Sequence, residues 1–260
     1  MAILSSELDS PERQSLIQHL TDLRTCIIRS CITLGISMLG CLYFSKQIFR
    51  FLQLPLLRVM PQGTTFIATS PLEGLITYLK VALLAGVFAA SPVILYQIWH
   101  FVGPALYKNE KKAAFLFVLF SSLFFIGGAW FGYAIIFPVG FKFFVTAFEG
   151  TGITFLPQMQ DYLGFISKML LVFGAIFELP VILILLARFG IVTSKMLNKS
   201  QRYVLVAIFL VAGVLTPGPD VLSQFLLAIP LLLLFELSVV AVWLMQKKNK
   251  KPSDEKGETK

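Results

Sequence analysis

Residues 113–137, AAFLFVLFSSLFFIGGAWFGYAIIF, contain no charged side chain. As a helix this run rises about 37 Å at 1.5 Å per residue, more than the roughly 30 Å hydrocarbon core of a bilayer. Working outward, similar runs recur over residues 26–45, 74–97, 162–187, 203–215 and 221–244. They predict an all-α integral membrane protein with six transmembrane helices, the fifth and sixth short. The fifth is the extreme case, since residues 203–215 rise only about 20 Å. Thr216-Pro217-Gly218-Pro219-Asp220 separates it from the sixth, so those two form a tight hairpin.

Composition agrees. Of 260 residues, 57% are hydrophobic and 14% charged, against about 25% charged in soluble domains. Secreted disulfide-stapled and disordered classes are excluded. The net charge of +8 then reads as membrane orientation rather than nucleic-acid binding. The outer loops hold only Lys46, Arg50, Arg58 and Lys142, and Lys80 and Lys168 fall within spans; the other sixteen of the 22 basic residues lie on the inner side. The positive-inside rule therefore predicts both termini in the cytoplasm. Residues 1–245 form a single six-helix membrane domain, and 246–260 a disordered, basic cytoplasmic tail.

Ahead of the first span, Ser10-Pro11-Glu12 reads as a helix start. Leu16, Ile17, Leu20 and Leu23 then share one face opposite Arg13, Gln14, Gln18 and Asp22. This predicts an amphipathic helix over about 11–24, lying along the membrane surface. The N-terminus lacks the pattern of a cleavable signal peptide. Cys26, Cys31 and Cys41 all fall in the first span, show no CxxC spacing and read as buried thiols. The outer loops, 46–71 and 138–161, are rich in Pro, Phe and Gly and are expected to pack as caps over the bundle.

No soluble-enzyme motif is present: His19 and His100 stand alone, and no P-loop, GxSxG or HExxH occurs. No enzyme activity, cofactor or metal is expected. Gly128 and Gly132 form a GxxxG, which permits close helix approach but carries little weight in a segment rich in small residues. Intramembrane charge weighs more. Glu178 lies near the middle of the fourth span, where an ionised carboxylate costs several kcal/mol unless paired, hydrated or protonated. Lys168 lies about 15 Å away along the same helix and is not its direct partner. Glu236 sits in a similar Phe-Glu-Leu setting, and Pro180 predicts a kink just after Glu178. On the cytoplasmic side, Asp22 and Glu110 are acids among bases. They serve either as charge balance or as a paired-acid site for guanidinium groups.

His19-Leu20-Thr21-Asp22-Leu23-Arg24, Ser91-Pro92-Val93-Ile94-Leu95-Tyr96-Gln97-Ile98-Trp99 and Pro104-Ala105-Leu106-Tyr107-Lys108-Asn109-Glu110 resemble the TatC family. Phe177-Glu178-Leu179-Pro180, Arg202-Tyr203-Val204-Leu205 and Asp220-Val221-Leu222-Ser223-Gln224 continue the resemblance in order. TatC is the multispanning subunit of the twin-arginine protein translocase of the bacterial cytoplasmic (inner) membrane. The resemblance implies export of folded proteins, driven by the proton gradient, with TatA/TatB-type single-span proteins as partners and several copies in the complex. It implies that Asp22, Arg24, Phe101, Leu106 and Glu110 bind twin-arginine signal peptides, and resolves the paired acids in favour of a site. Asp22 stands where the family motif has glutamate. Glu178, Thr216 and Gln224 are implied as contacts inside the membrane for the signal or the partners. The rival from another class is a proton- or ion-coupled small-solute secondary transporter using Glu178 and Lys168; it would call for paired discontinuous helices or repeat symmetry, and beyond the two Phe-Glu-Leu triplets no repeat is seen.

Overall fold

The computed structural model describes residues 11–61, 65–102, 111–146, 156–215 and 221–249. In chain order its helices are α1 (Pro11–Tyr43), α2 (Ser45–Leu57), α3 (Glu73–Val102), α4 (Lys111–Phe131), a π-helical turn (Gly132–Ile136), α5 (Phe137–Thr146), α6 (Met159–Phe177), α7 (Leu179–Arg188), α8 (Ser194–Leu215) and α9 (Val221–Asn249). The one extended feature among the described residues is a parallel bridge between Ile67 and Gln158. Among the described residues, five segments are long and apolar enough to cross a membrane: Gln18–Tyr43, Glu73–Phe101, Phe115–Thr146, Met159–Arg188 and Gln224–Lys247. The all-α membrane class stands.

Five expectations change in detail. The amphipathic stretch is not separate from the first span: α1 is one helix of 33 residues, because residues 24–34 contain no glycine or proline to end it. The residues read as outer loops contain helices. α2 occupies the first, and the second begins with α5. The α4 run does not stop at Pro138, because the π turn directly before it accommodates a residue that cannot donate its N–H. The sixth segment is not short, since α9 has 29 residues and Pro230 lies within it without ending it. The cysteines are free, but Cys31 is exposed and Cys26 and Cys41 are half-buried, because most of α1 faces outward.

The chain divides into two compact units, Met1–Ser45 with Ala82–Ser122, and Lys46–Val81 with Leu123–Lys260. In the first, α1 and α3 touch where Gly86 meets Met38. A Cβ on Gly86 would lie 3.0 Å from the Met38 backbone, so glycine is what permits that crossing. In the second, the GxxxG is the seam between α4 and α6. A Cβ on Gly128 would fall 2.5 Å from the Phe173 carbonyl oxygen, and one on Gly132 would fall 2.8 Å from the Phe173 ring. Gly174 answers from the α6 side, against Phe125. Removing three Cβ atoms brings the two backbones together, the usual route to tight packing where lipid removes any hydrophobic drive.

The second unit is closed at one end by α2. Phe49, Leu52 and Leu56 turn inward and are buried. Phe49 meets the Tyr78 ring edge-on at 6.0 Å, and Phe66 lies against both Phe49 and Tyr162. Tyr133 and Tyr162 donate hydroxyl hydrogen bonds, each of 2.7 Å, to the carbonyl oxygens of Phe51 and Leu52. The expected cap is therefore a helix, fastened through two adjacent carbonyls of its backbone.

Candidate functional site

In the first unit, His19 on α1 stacks on Phe101 at the end of α3, with ring centroids 4.3 Å apart and planes 21° apart. Asp22 lies one turn beyond His19 on the same helix, and both Asp22 and Arg24 are exposed. Phe101 is half-buried. Two residues before it, Trp99 donates its indole N–H to the Ser121 hydroxyl of α4 at 3.0 Å and meets the Phe117 ring edge-on. Aromatic contacts thus join the end of α3 to both α1 and α4, with an exposed acid and base on α1 beside them. Leu106 and Glu110 lie outside the described residues. In sequence they fall between α3, which ends at Val102, and α4, which begins at Lys111.

In the second unit, Glu178 occupies the break between α6 and α7. Pro180 follows the break because its missing N–H and fixed φ suit the first turn of a new helix. The Glu178 backbone N–H reaches back to Ala175 and Ile176, and its carbonyl accepts from Ile182. Its side chain is 7% exposed. The predicted kink is thus a one-residue break at helical φ/ψ within a single apolar segment, Met159–Arg188, with a buried carboxyl group on it. Lys168 is exposed on α6.

Gln224, near the start of α9, donates its amide to the Phe209 carbonyl oxygen of α8 at 2.7 Å, and Gly213 leaves the space for it. At the other end of the same hairpin, Gln201 donates to Glu236. Gln246 accepts from the Ser194 N–H and hydroxyl at 3.1 Å each, so α9 caps the start of α8. Gln224 is thus an internal brace of the α8–α9 hairpin. Thr216 lies outside the described residues.

One residue escaped the sequence reading. Glu73, 1% exposed, accepts from the Thr69 N–H at 2.6 Å, the Thr69 hydroxyl at 3.1 Å and the Ser70 N–H at 3.3 Å. Its second oxygen accepts from the Gln160 N–H at 2.9 Å. One carboxylate therefore ties the residues that lead into α3 to the first turn of α6, where unpaired N–H groups and the helix dipole favour negative charge. Gln158 adds an amide bond to the Thr69 hydroxyl at 2.8 Å. The signal was available: Ser70-Pro71-Leu72-Glu73 is a Ser-x-x-Glu capping box. Among the described residues, no group of His, Cys, Asp or Glu side chains could hold a metal ion.

Comparison with known proteins follows this geometry. Residues 18–230 match the family model described as Sec-independent protein translocase protein (TatC). A Sec-independent protein translocase protein TatC of Desulforapulum autotrophicum is 42% identical over 94% of this chain and 89% of its own length. That of Haemophilus influenzae is 40% identical over 92% of each. A crystal structure of a twin arginine translocase receptor, TatC, superposes with a TM-score of 0.79 at 38% identity, covering 88% of this chain and 99% of the other.

Proposed function

The chain belongs to the TatC family of Sec-independent protein translocase proteins, and from that premise we propose how its residues serve the core subunit of a twin-arginine translocase. The proposal is that the chain spans the inner membrane six times with both termini in the cytoplasm, α8 being the short span through residues 203–215. Twin-arginine signal peptides dock at the cytoplasmic ends of α1 and α3, with the two guanidinium groups paired to Glu110 and Asp22. Carboxylates match guanidinium in charge and in bidentate geometry. Arg24, Phe101 and Leu106 shape the rest of that surface. The apolar part of the signal then enters the membrane beside Glu178. TatA/TatB-type single-span proteins dock along the α8–α9 hairpin near Thr216 and Gln224, further copies of this chain complete the complex, and transport draws on the proton gradient.

The observation that carries this reading is the His19–Phe101 stack. It joins the segment bearing Asp22 and Arg24 to the start of the connection bearing Leu106 and Glu110, so residues far apart in sequence can act on one peptide. The test is crosslinking of a twin-arginine precursor to the full chain in membranes. Glu110→Ala should abolish the crosslink while the protein stays inserted. Undiminished crosslinking removes the assignment.

A further inference from the structure

The outward side of α2 is unusual. Lys46, Arg50 and Arg58 are exposed there, and so are Phe51, Leu54 and Leu57, while Phe49, Leu52 and Leu56 are buried. Residues 46–72 contain no Asp or Glu, so the segment supplies no countercharge to the three bases. On the proposed topology they sit on the face where the positive-inside rule disfavours bases.

The depth of α2 follows from its neighbours. Phe51 stacks on Tyr133 at 4.5 Å and lies 6.5 Å from the Trp130 ring. Counting from Ala113, where the uncharged run begins just after Lys111 and Lys112, Trp130 lies about 26 Å and Tyr133 about 30 Å along the helix. A hydrocarbon core of roughly 30 Å that starts at those lysines ends at about this level. Trp and Tyr concentrate at that boundary, and Trp130 is 60% exposed. α2 therefore runs at headgroup level, with apolar side chains able to reach acyl chains and long bases able to reach phosphates.

We propose that the outward side of α2 is a binding surface for anionic phospholipid: Lys46, Arg50 and Arg58 hold lipid phosphates, and Leu54 and Leu57 lie among the acyl chains. The inference goes beyond signal recognition and does not depend on it. Two bases on α2 and a third, Arg58, one residue past its end, lie at phosphate depth on a partly apolar surface and match a negative headgroup in charge, and each base near an anionic surface adds to the attraction.

Trp130 reports on this surface directly. In a W99F/W243F chain it is the one remaining tryptophan, and it can be read in phosphatidylcholine vesicles containing brominated phosphatidylglycerol or brominated phosphatidylcholine. The brominated anionic lipid should quench Trp130 at about threefold lower mole fraction than the neutral one. K46Q/R50Q/R58Q should bring the two lipids level, and R50K/R58K should keep the preference. Equal quenching in the parent, or a preference that survives the triple Gln variant, overturns the proposal. So does a Trp130 that neither lipid quenches, since a protein neighbour then covers the surface. A second readout avoids the tryptophan substitutions: phosphatidylglycerol should raise the Tm of the native chain in mixed micelles more than that of K46Q/R50Q/R58Q, and equal rises count against it.

Discussion

The Tyr133 hydroxyl donates to the Phe51 carbonyl oxygen at 2.7 Å, and Pro55 is the reason that this oxygen is open. In a helix the carbonyl of Phe51 would accept from the N–H of residue 55, and proline has none. Without a partner, a buried carbonyl costs about 1–3 kcal/mol. The π turn at Gly132–Ile136, in which Tyr133 is buried, supplies that partner from another helix.

Tyr133→Phe should therefore destabilise the protein by about 1–2 kcal/mol, measured by unfolding in detergent. In a Pro55→Ala background residue 55 regains an N–H, and the cost of Tyr133→Phe should shrink. Equal costs in the two backgrounds would contradict the link between proline and tyrosine.

Glu73→Ala removes the acceptor for N–H groups of Thr69, Ser70 and Gln160 together. The expected loss is about 3 kcal/mol, accompanied by faster protease cleavage on both sides of the Ile67–Gln158 bridge. Glu73→Gln keeps the shape but turns an amide N–H₂ toward donors, so it should recover only part of the loss. Cleavage rates matching the parent would show that the bridge stands without the carboxylate.

Gly128→Ala should cost about 1–3 kcal/mol, because the new Cβ meets a backbone oxygen that has no rotamer to change. Gly127→Ala, whose Cβ would have no atom within 4 Å, should be neutral or stabilising by up to about 1 kcal/mol. Thermal unfolding of the two variants side by side tests the seam, and equal behaviour would remove it.

Glu178→Ala should impair export of a twin-arginine precursor while its crosslink at the α1–α3 end is retained. Export at the parent rate in membrane vesicles would end the assignment of Glu178 to transport.

Much of this molecule was legible because lipid imposes simple rules. Uncharged runs marked the spans and Pro180 marked the break beside Glu178, while the glycine pair at 128 and 132, which carries little weight as a sequence signal, forms the close contact with α6. The reading failed where a residue's usual effect was offset by something distant. Pro138 looked like an end, yet the preceding π turn carries the helix past it. Proline also disguised α2, whose carbonyl left open by Pro55 is closed by a tyrosine 82 residues away in sequence, with a second tyrosine, 110 residues away, on the next carbonyl. Gln224 reads as a polar spot on a short helix, and only the pairing of α8 with α9 reveals its hold on Phe209. Asp22, Arg24 and Phe101 were singled out by motif. The His19–Phe101 stack beside them depends on where two helices end, which spacing alone does not encode.

Glu73 also bears on the order in which the chain is made. Its distant donor, Gln160, is synthesised 87 residues later, a delay on the order of ten seconds at ribosomal speed. Throughout that interval α3 exists without α6, and its first carboxylate has only Thr69 and Ser70 beside it. Those neighbours emerge from the ribosome just ahead of it, so the local capping box can form at once and hold one oxygen of the pair. The other oxygen has its folded-state donor, Gln160, in a helix not yet translated. A nascent chain arrested before Gln160 would thus carry half of this junction, complete in its local bonds and ready for the later segment to close it.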